Sequence, residues 1–248
     1  MKIIATYNIK GGVGKTSAAV NLAYLASRDG LNVLLWDLDP QAAASYMFRI
    51  RPRVKGGGKA LIRGTRAVDE AIKGTDFERL DLLPADFTYR NMDLVLDAVK
   101  KPTRRIARLL QPLAAEYDAV FLDCPPGISL VSENVLHAAD TVLVPIIPTT
   151  LSLRTFDQLT EFIAEFDRHR PCVLAFFSMI DRRKKLHREI LTSLPAERSD
   201  VTEAAIPALS MIEQMAVRRA PVTAFAARSQ AARQYQQLWA EVREHALD

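Results

Sequence analysis

The sequence predicts an α/β fold in which helices flank a doubly wound, mostly parallel sheet. Two features of the 248-residue chain predict it: short apolar runs alternate with segments of helical spacing from end to end, and those runs are apolar throughout. Strands of that kind are covered on both faces, as in a parallel sheet built from repeated strand–helix units. No internal repeat or domain linker is visible, so we expect residues 1–248 to form one domain.

Strands are expected wherever an apolar run of strand length occurs. The first precedes a glycine-rich stretch, and a helix is expected to follow from residue 18. Helical spacing recurs over residues 103–117 and 153–168. Because ligands bind beyond the carboxyl ends of strands in such sheets, polar residues at those ends are candidates for a site. The expected strands are residues 3–7, 31–36, 80–84, 119–122, 141–145 and 172–177, with a weaker one near 201–206.

The composition favours a cytoplasmic protein without a membrane span. There are 33 Lys and Arg against 29 Asp and Glu, and a net charge of +4 suits an anionic partner without requiring one. Cys124 and Cys172 are far apart and form no C-x-x-C pair, so we expect no structural zinc and a reducing compartment. The start of the chain has no targeting pattern, and the apolar runs are too short to insert into a membrane.

The glycine-rich stretch after the first strand has the chemistry of a phosphate-binding loop. Its glycines let backbone N–H groups point at phosphate oxygens, and the helix that follows adds a partial positive charge. Lys15 can reach the β- and γ-phosphates, and the Thr16 hydroxyl can ligate Mg²⁺. The alternative is a glycine-rich turn without a ligand. The stretch comprises Lys10, Gly11, Gly12, Val13, Gly14, Lys15, Thr16 and Ser17.

Three aspartates follow predicted strands. Asp37 and Asp39 lie just past the second strand, where two carboxylates can order Mg²⁺ through its waters and orient an attacking water. The alternative for Asp39 is a capped Asp–Pro turn. Asp123 ends another apolar strand, which would hold its carboxylate rigidly beside the metal. Cys124 is expected to be a small buried residue.

These motifs together resemble those of the ParA/MinD family of ATPases. The run K-G-G-V-G-K-T at 10–16 is similar to the family's deviant Walker A box, with Ile9 where an ordinary P-loop has glycine. The runs D-L-D-P-Q at 37–41 and D-C-P-P-G at 123–127 are similar to its other two motifs. The resemblance implies ATP and Mg²⁺ as cofactors and Asp39 as the residue that positions the hydrolytic water. It also implies a dimer in which Lys10 reaches the partner's nucleotide; the alternative is a local phosphate contact.

The resemblance extends beyond the motifs to a residue near the adenine. Pro207 stands where the family places a proline beside the base. Ala208 and Leu209 follow it, whereas family members usually carry Arg or Asn there. The resemblance covers most of the chain and is loose between residues 49 and 76.

The end of the chain distinguishes among functions within the family. MinD-type proteins bind membranes through a basic C-terminal helix, and nitrogenase iron-protein relatives hold an iron–sulfur cluster. The cysteine number and spacing exclude the cluster. The C-terminal helix mixes acids with bases on its outer side and the chain closes on Asp248, which favours docking on the core over a membrane anchor. Its apolar face is expected to comprise Ala231, Tyr235, Leu238, Val242 and His245, with Trp239 beside it.

Two basic groups favour a ParA-type function, in which the ATP dimer binds duplex DNA of the nucleoid and positions a plasmid, chromosome or protein cluster. The resemblance places arginines of these regions on the DNA-binding face, where phosphate contact without sequence preference is expected. The alternative is solvated helix ends. A ParB-like or cargo adaptor protein is then the expected partner. A nucleotide-switched interaction module without DNA binding is the alternative function, and an amide-forming enzyme a further one. The six cations are Arg182, Arg183, Lys184, Lys185, Arg218 and Arg219.

Residues 49–66 carry seven basic residues, a glycine triplet and no acid. This basic segment is expected to be the least ordered part of the chain. It is either a flexible solvated loop or an electrostatic contact to nucleic acid or an acidic partner.

Overall fold

A computed structural model describes residues 1–166 and 169–246 and contains one eight-stranded sheet. The strand order is β3-β4-β2-β5-β1-β6-β7-β8, and every neighbouring pair is parallel except β3 with β4. The strands are β1 (Lys2–Thr6), β2 (Val33–Asp37), β3 (Lys73–Gly74), β4 (Leu80–Leu83), β5 (Ala119–Asp123), β6 (Thr141–Ile146), β7 (Cys172–Ile180) and β8 (Val201–Pro207).

Helices connect the strands and cover the sheet. They are α1 (Lys15–Arg28), α2 (Ala43–Met47), α3 (Gly57–Arg63), α4 (Met92–Asp97), α5 (Arg105–Leu110), α6 (Leu130–Ala138), α7 (Thr150–Ala164), α8 (Lys185–Glu197), α9 (Ser210–Arg218), α10 (Val222–Phe225) and α11 (Gln230–Ala246). Short 3₁₀ turns occur at Asp69–Ala71, Phe87–Asn91, Pro102–Arg104 and Gln111–Ala115.

Both faces of the sheet are buried. Along β1, Ile3 and Ala5 belong to one hydrophobic core while Ile4 belongs to the other. Successive side chains of a strand point to opposite faces, so the two cores lie on opposite sides of the sheet. The prediction of a doubly wound, mostly parallel sheet is confirmed, and each predicted strand is present.

Most boundaries differ from prediction by one or two residues, and a few differ more. The helical spacing over 103–117 forms only α5, with a 3₁₀ turn before it and another after it. The strand that begins at Cys172 runs on to Ile180, and the two-residue β3 was not predicted because it is too short to show a pattern. The helix expected over 153–168 is α7, which ends at Ala164; Arg168 lies outside the described residues.

Helix α11 packs on the core through an apolar face, as predicted for most of its residues. His245 is the exception: it is exposed, and Ala246 is buried instead. With 3.6 residues per turn, position 246 continues the stripe that runs through 235, 238, 239 and 242. Asp248 lies outside the described residues, and within the described part no helix is long and apolar enough to span a bilayer.

Of the two alternatives for residues 49–66, the flexible solvated loop is wrong. The segment contains α3, whose Leu61 and Ile62 are fully buried in the core. The buried amide of Val54 donates to Asp86 Oδ2 at 2.8 Å, and Arg105 Nε donates to the carbonyl of Ile62. These long-range contacts order a segment whose composition is that of a loop.

Candidate active site

A cavity of about 660 Å³ opens at the carboxyl ends of the central strands. The glycine-rich loop after β1 lines one side, and Asp39 after β2 lines another. Residues 206–210, at the end of β8 and just beyond it, complete the wall. The fold therefore brings the loop, Asp39 and Pro207 to one space, although they are up to 200 residues apart in the chain.

Glycine is required in the loop by its backbone geometry. Gly12 and Gly14 have φ angles of +68° and +95°, in the region that side chains rarely adopt. A Cβ at Gly14 would also lie 2.7 Å from Ser178 Oγ. Val13 is buried and fixes the loop to the core instead of lining the cavity. Lys15 begins α1, so the backbone N–H groups of the first turn face the cavity.

Lys15 is held inside the curve of the loop. Its side chain is buried, and Nζ donates to the carbonyls of Lys10 at 2.9 Å and Asn8 at 3.3 Å. Burial lowers the pKa of Lys15, while the carboxylate of Asp123 partly offsets this effect. The ammonium is thus confined where a phosphate cradled by the loop would meet it.

Lys10 points away from the loop. Its Nζ donates to the carbonyl of Leu151 at 3.1 Å, at the start of α7. Leu151 is 68% exposed, and Ile128, which follows a glycine whose amide donates to the Ile9 carbonyl, is 75% exposed. In the single chain Lys10 therefore contacts a backbone carbonyl of its own subunit.

Asp37 connects β2 to α2. Its carboxylate is fully buried, and Oδ2 accepts hydrogen bonds from the Ser45 amide at 2.8 Å and the Ser45 hydroxyl at 2.7 Å. The Ser45 hydroxyl also accepts from the amide of Ala85 at 3.0 Å. Burial raises the pKa of Asp37 to about 6, against the effect of these hydrogen bonds. Through these hydrogen bonds with Ser45, Asp37 fixes the segment that carries Asp39. The sequence did not predict this contact of Ser45.

Asp123 is a fully buried carboxyl group at the end of β5. It lies in register with Asp37 on the adjacent strand, and neither of its oxygens has a hydrogen-bond partner within the described residues. Burial, followed by the charge of Asp37, raises the pKa of Asp123 well above its usual range, and Thr16 partly opposes this. A buried carboxyl of this kind is neutralised either by a proton or by a cation. One such carboxylate with a nearby hydroxyl fits Mg²⁺, which takes few protein ligands beside water and phosphate.

Asp39 is partly exposed in the wall of the cavity. Its Oδ1 accepts from the amide of Gln41 at 2.9 Å, and its carbonyl accepts from the amide of Ala42 at 2.8 Å. The capped Asp–Pro turn, the alternative prediction for Asp39, is therefore present. This turn occupies only one oxygen of the carboxylate, and Asp39 still lines the cavity.

The far end of the cavity is apolar. Ile206, Pro207, Ala208 and Leu209 line it, and no side chain among these four carries a charge. The cavity is also lined by Met47 on α2 and Glu213 on α9. Neither residue belongs to a motif, so neither was predicted to lie in the site. This end suits a flat apolar group such as a nucleobase.

The first predicted DNA-binding group lies after β7 and is fully exposed, but its cations differ in what they contact. Arg183 donates from Nε and Nη2 to the two carboxylate oxygens of Asp181, each at 2.9 Å. These hydrogen bonds hold the pKa of Asp181 at about 2. Lys185 Nζ lies 3.5 Å from Glu189. Arg182 and Lys184 form no ion pair within the described part of the chain.

The second predicted group lies at the end of α9, and its two members differ as well. Arg218 is exposed. Arg219 ends the helix in the left-handed region, stacks its guanidinium 4.6 Å from the centre of the Tyr46 ring, and donates from Nε to the Tyr46 carbonyl at 2.9 Å. Arg219 therefore fastens α9 to α2.

Comparison with known proteins gives the same family as the motifs. A family model described as an AAA domain matches residues 1–175. The sporulation initiation inhibitor protein Soj of Bacillus subtilis is 30% identical over 247 residues, which cover 97% of this chain and 98% of Soj. The chromosome partitioning protein ParA of Myxococcus xanthus is 36% identical over 165 residues, which cover 65% of this chain and 58% of that protein.

Solved structures share the fold over nearly the whole chain. Cobyrinic acid a,c-diamide synthase from Mycobacterium smegmatis, with a bound ATP analog and magnesium, superposes with a TM-score of 0.83 at 24% identity, covering 99% of this chain and 95% of that one. The cell division ATPase MinD of Pyrococcus furiosus gives a TM-score of 0.79 at 21% identity and covers 99% of each chain.

Proposed function

Since the chain belongs to the ParA/MinD family of P-loop ATPases, we propose that it dimerises when it binds ATP and Mg²⁺. In that form it binds duplex DNA without sequence preference and positions or segregates a plasmid, chromosome or protein cluster. It acts in the cytoplasm and associates with the nucleoid while ATP is bound. Hydrolysis is slow and is stimulated by a ParB-like or cargo adaptor protein.

The observation that carries the nucleotide site is that Lys15 lines the cavity while the buried Asp123 carboxylate, whose charge acts on Lys15, has no hydrogen-bond partner within the described residues. Lys15 and the loop amides hold the phosphates, and Thr16 and Asp123 hold Mg²⁺. When bound, the metal neutralises phosphate charge. The apolar end at Pro207 takes the base, with Ala208 and Leu209 supplying van der Waals contact in place of a hydrogen bond.

Asp39 is the group that orients water for hydrolysis. Its carboxylate faces the cavity from a turn whose position is fixed by the hydrogen bonds between Asp37 and Ser45. A carboxylate on a rigid turn can accept a hydrogen bond from a water and hold it in line with a phosphate. Asp37 acts as the anchor of this turn and adds negative charge next to the metal site.

Dimerisation is supported by the surroundings of Lys10. Ile128 and Leu151 are exposed in segments whose backbone contacts the loop, and exposed apolar groups of this size favour a protein contact. The bond from Lys10 to the Leu151 carbonyl is a single exposed one, so Lys10 can exchange it for a nucleotide phosphate across a dimer interface.

Nucleotide-dependent DNA binding tests this function. Binding to several unrelated duplexes is measured with ATP, with ADP and without nucleotide, over a range of salt concentrations. We expect affinity for all sequences with ATP only, with a steep salt dependence because each phosphate contact releases counterions. Absence of DNA binding with ATP at low salt, in protein that binds ATP and dimerises, contradicts this part of the proposal.

The same absence would favour the second candidate, a nucleotide-switched protein-interaction module. A specific observation supports it: Arg183 and Arg219, two of the six predicted DNA contacts, are occupied by Asp181 and Tyr46. A surface with fewer free cations binds a duplex more weakly.

A further inference from the structure

A second concave site lies away from the nucleotide cavity, at the edge of the sheet formed by β3. Its volume is about 390 Å³, and its rim holds four cations and one acid: Arg53, Lys55, Arg66, Lys73 and Glu70. Three of these, Arg53, Lys55 and Arg66, come from the basic segment 49–66, which the nucleotide site does not use. We call this site the basic pocket.

The backbone beneath the basic pocket is fixed by burial. Val54, between Arg53 and Lys55, is buried and its amide donates to Asp86 Oδ2. Val68 and Ala71, which flank Glu70 in the chain, belong to the same hydrophobic core. The cations are therefore attached to a rigid rim, and less entropy is lost when a ligand binds them than on a flexible loop.

The charge of the basic pocket is not balanced. Glu70 pairs with Arg66 at 3.1 Å, whereas Arg53, Lys55 and Lys73 form no ion pair within the described residues. In addition, Arg66 Nε is buried and has no hydrogen-bond partner within the described part of the chain. The three cations that form no ion pair can give charge-assisted hydrogen bonds to an anionic group that enters the pocket.

We infer that the basic pocket binds the carboxylate side chains of an acidic protein segment. Its shape favours single carboxylates over a duplex, because a concave rim that includes the acid Glu70 cannot follow a continuous phosphate backbone. Strand β3 is the end of the sheet and pairs only with β4. Its open edge can add hydrogen bonds to an extended peptide.

The basic pocket is also remote from the first predicted DNA-binding group. That group follows β7, which is six strands from β3 in the sheet order. At about 4.8 Å per strand, the separation is roughly 29 Å. The inference goes beyond the proposed function and does not depend on it, since none of the pocket residues lines the nucleotide cavity.

A labelled decaglutamate peptide tests the inference by fluorescence anisotropy without nucleotide. The variant Lys55→Glu with Lys73→Glu is compared with Lys100→Glu with Lys101→Glu, which changes the net charge equally at exposed positions outside the pocket. We expect the pocket variant to bind about tenfold more weakly than the control variant. All four lysines are exposed, so folding is retained and melting temperatures verify it.

Two results would overturn the inference. If wild type does not bind the peptide, or if both variants weaken binding equally, the attraction is not located in the basic pocket. The same variants are then tested with ATP and a duplex of random sequence. If the pocket variant loses more affinity for DNA than for the peptide, this surface binds nucleic acid. Failure of nucleotide binding leaves the peptide assay unaffected, so the two proposals are tested separately.

Discussion

The carboxyl ends of the central strands and the basic surfaces differ in how far their charged groups are exposed to solvent. Asp37 and Asp123 are wholly buried and lie in register on neighbouring strands, so each charge there depends on specific partners. Arg182 and Arg218 are exposed to solvent that screens them. One substitution at the strand ends should therefore have a large effect, whereas surface cations should contribute small and nearly additive effects.

The largest effect is expected at Lys15, because it combines burial with direct phosphate contact. Lys15→Ala should weaken ATP binding about a hundredfold or more, since charge-assisted hydrogen bonds to the phosphates are lost. Calorimetry measures this, and Lys2→Ala, an exposed lysine at the other end of β1, is the control. Equal ATP affinity in the two variants would place the phosphates elsewhere.

Next in size is the loss of hydrolysis at Asp39. Asp39→Ala should retain ATP binding but reduce phosphate release about a hundredfold, because the group that orients water is removed. The variant should then accumulate as a dimer with ATP in sedimentation experiments, whereas wild type returns to monomer. Asp76→Ala, an exposed aspartate outside the cavity, is the control. Turnover at the wild-type rate by Asp39→Ala would assign the water to another residue.

A smaller effect on stability follows from the raised pKa values of Asp37 and Asp123. A carboxyl whose pKa is higher in the folded state binds its proton more tightly there. It therefore stabilises the fold at pH values below its unfolded pKa and loses that contribution as the pH rises toward its folded pKa. Without nucleotide, wild type should therefore lose stability as the pH rises from about 4 through about 6, the folded pKa of Asp37.

Asp123→Asn removes one of these two proton sites with little change of shape. Its melting temperature should exceed that of wild type near neutral pH and approach it near pH of about 4, as measured by thermal denaturation. Asp39→Asn, at a partly exposed position in the wall of the nucleotide cavity, provides the comparison. A difference between Asp123→Asn and wild type that does not change with pH would mean that Asp123 is ionised in the folded protein throughout this range.

The strand ends could be predicted from sequence because their signals are local. The glycines, Lys15 and Thr16 are contiguous between a strand and a helix, and Asp123 directly ends an apolar run. Once the runs are assigned to one parallel sheet, their carboxyl ends meet at one edge, and the residues that follow them must come together. The fold and the position of the candidate site therefore follow from short patterns.

The basic regions could not be predicted in the same way because their contacts are distant in sequence. Val54 is anchored by Asp86, and Arg219 by Tyr46, 173 positions away. Charge counts suggested that residues 49–66 are disordered, although Leu61 and Ile62 belong to the core. The hydrogen bond from Ser45 to Asp37 could not be predicted for a related reason, since a serine near a strand end has many possible partners.

The smallest expected effect tests whether cations that already contact another residue contribute less to DNA binding than cations that form no ion pair among the described residues. Arg182→Ala with Arg218→Ala removes two exposed cations, and Arg183→Ala with Arg219→Ala removes two that already contact Asp181 and Tyr46. Each variant loses the same charge. The first should bind duplex DNA about two- to fivefold more weakly than the second in the presence of ATP.

The salt dependence separates the two explanations. Each phosphate contact that is lost should flatten the log–log slope by about 0.9, so the first variant should have the shallower slope. Long-range attraction depends only on net charge, and it would give the two variants equal slopes and equal affinities. Because Arg219 also joins α9 to α2, its variant should melt at a lower temperature, and DNA binding is compared well below that temperature. A larger loss of affinity in the variant of Arg183 and Arg219 would mean that these arginines leave Asp181 and Tyr46 to bind DNA.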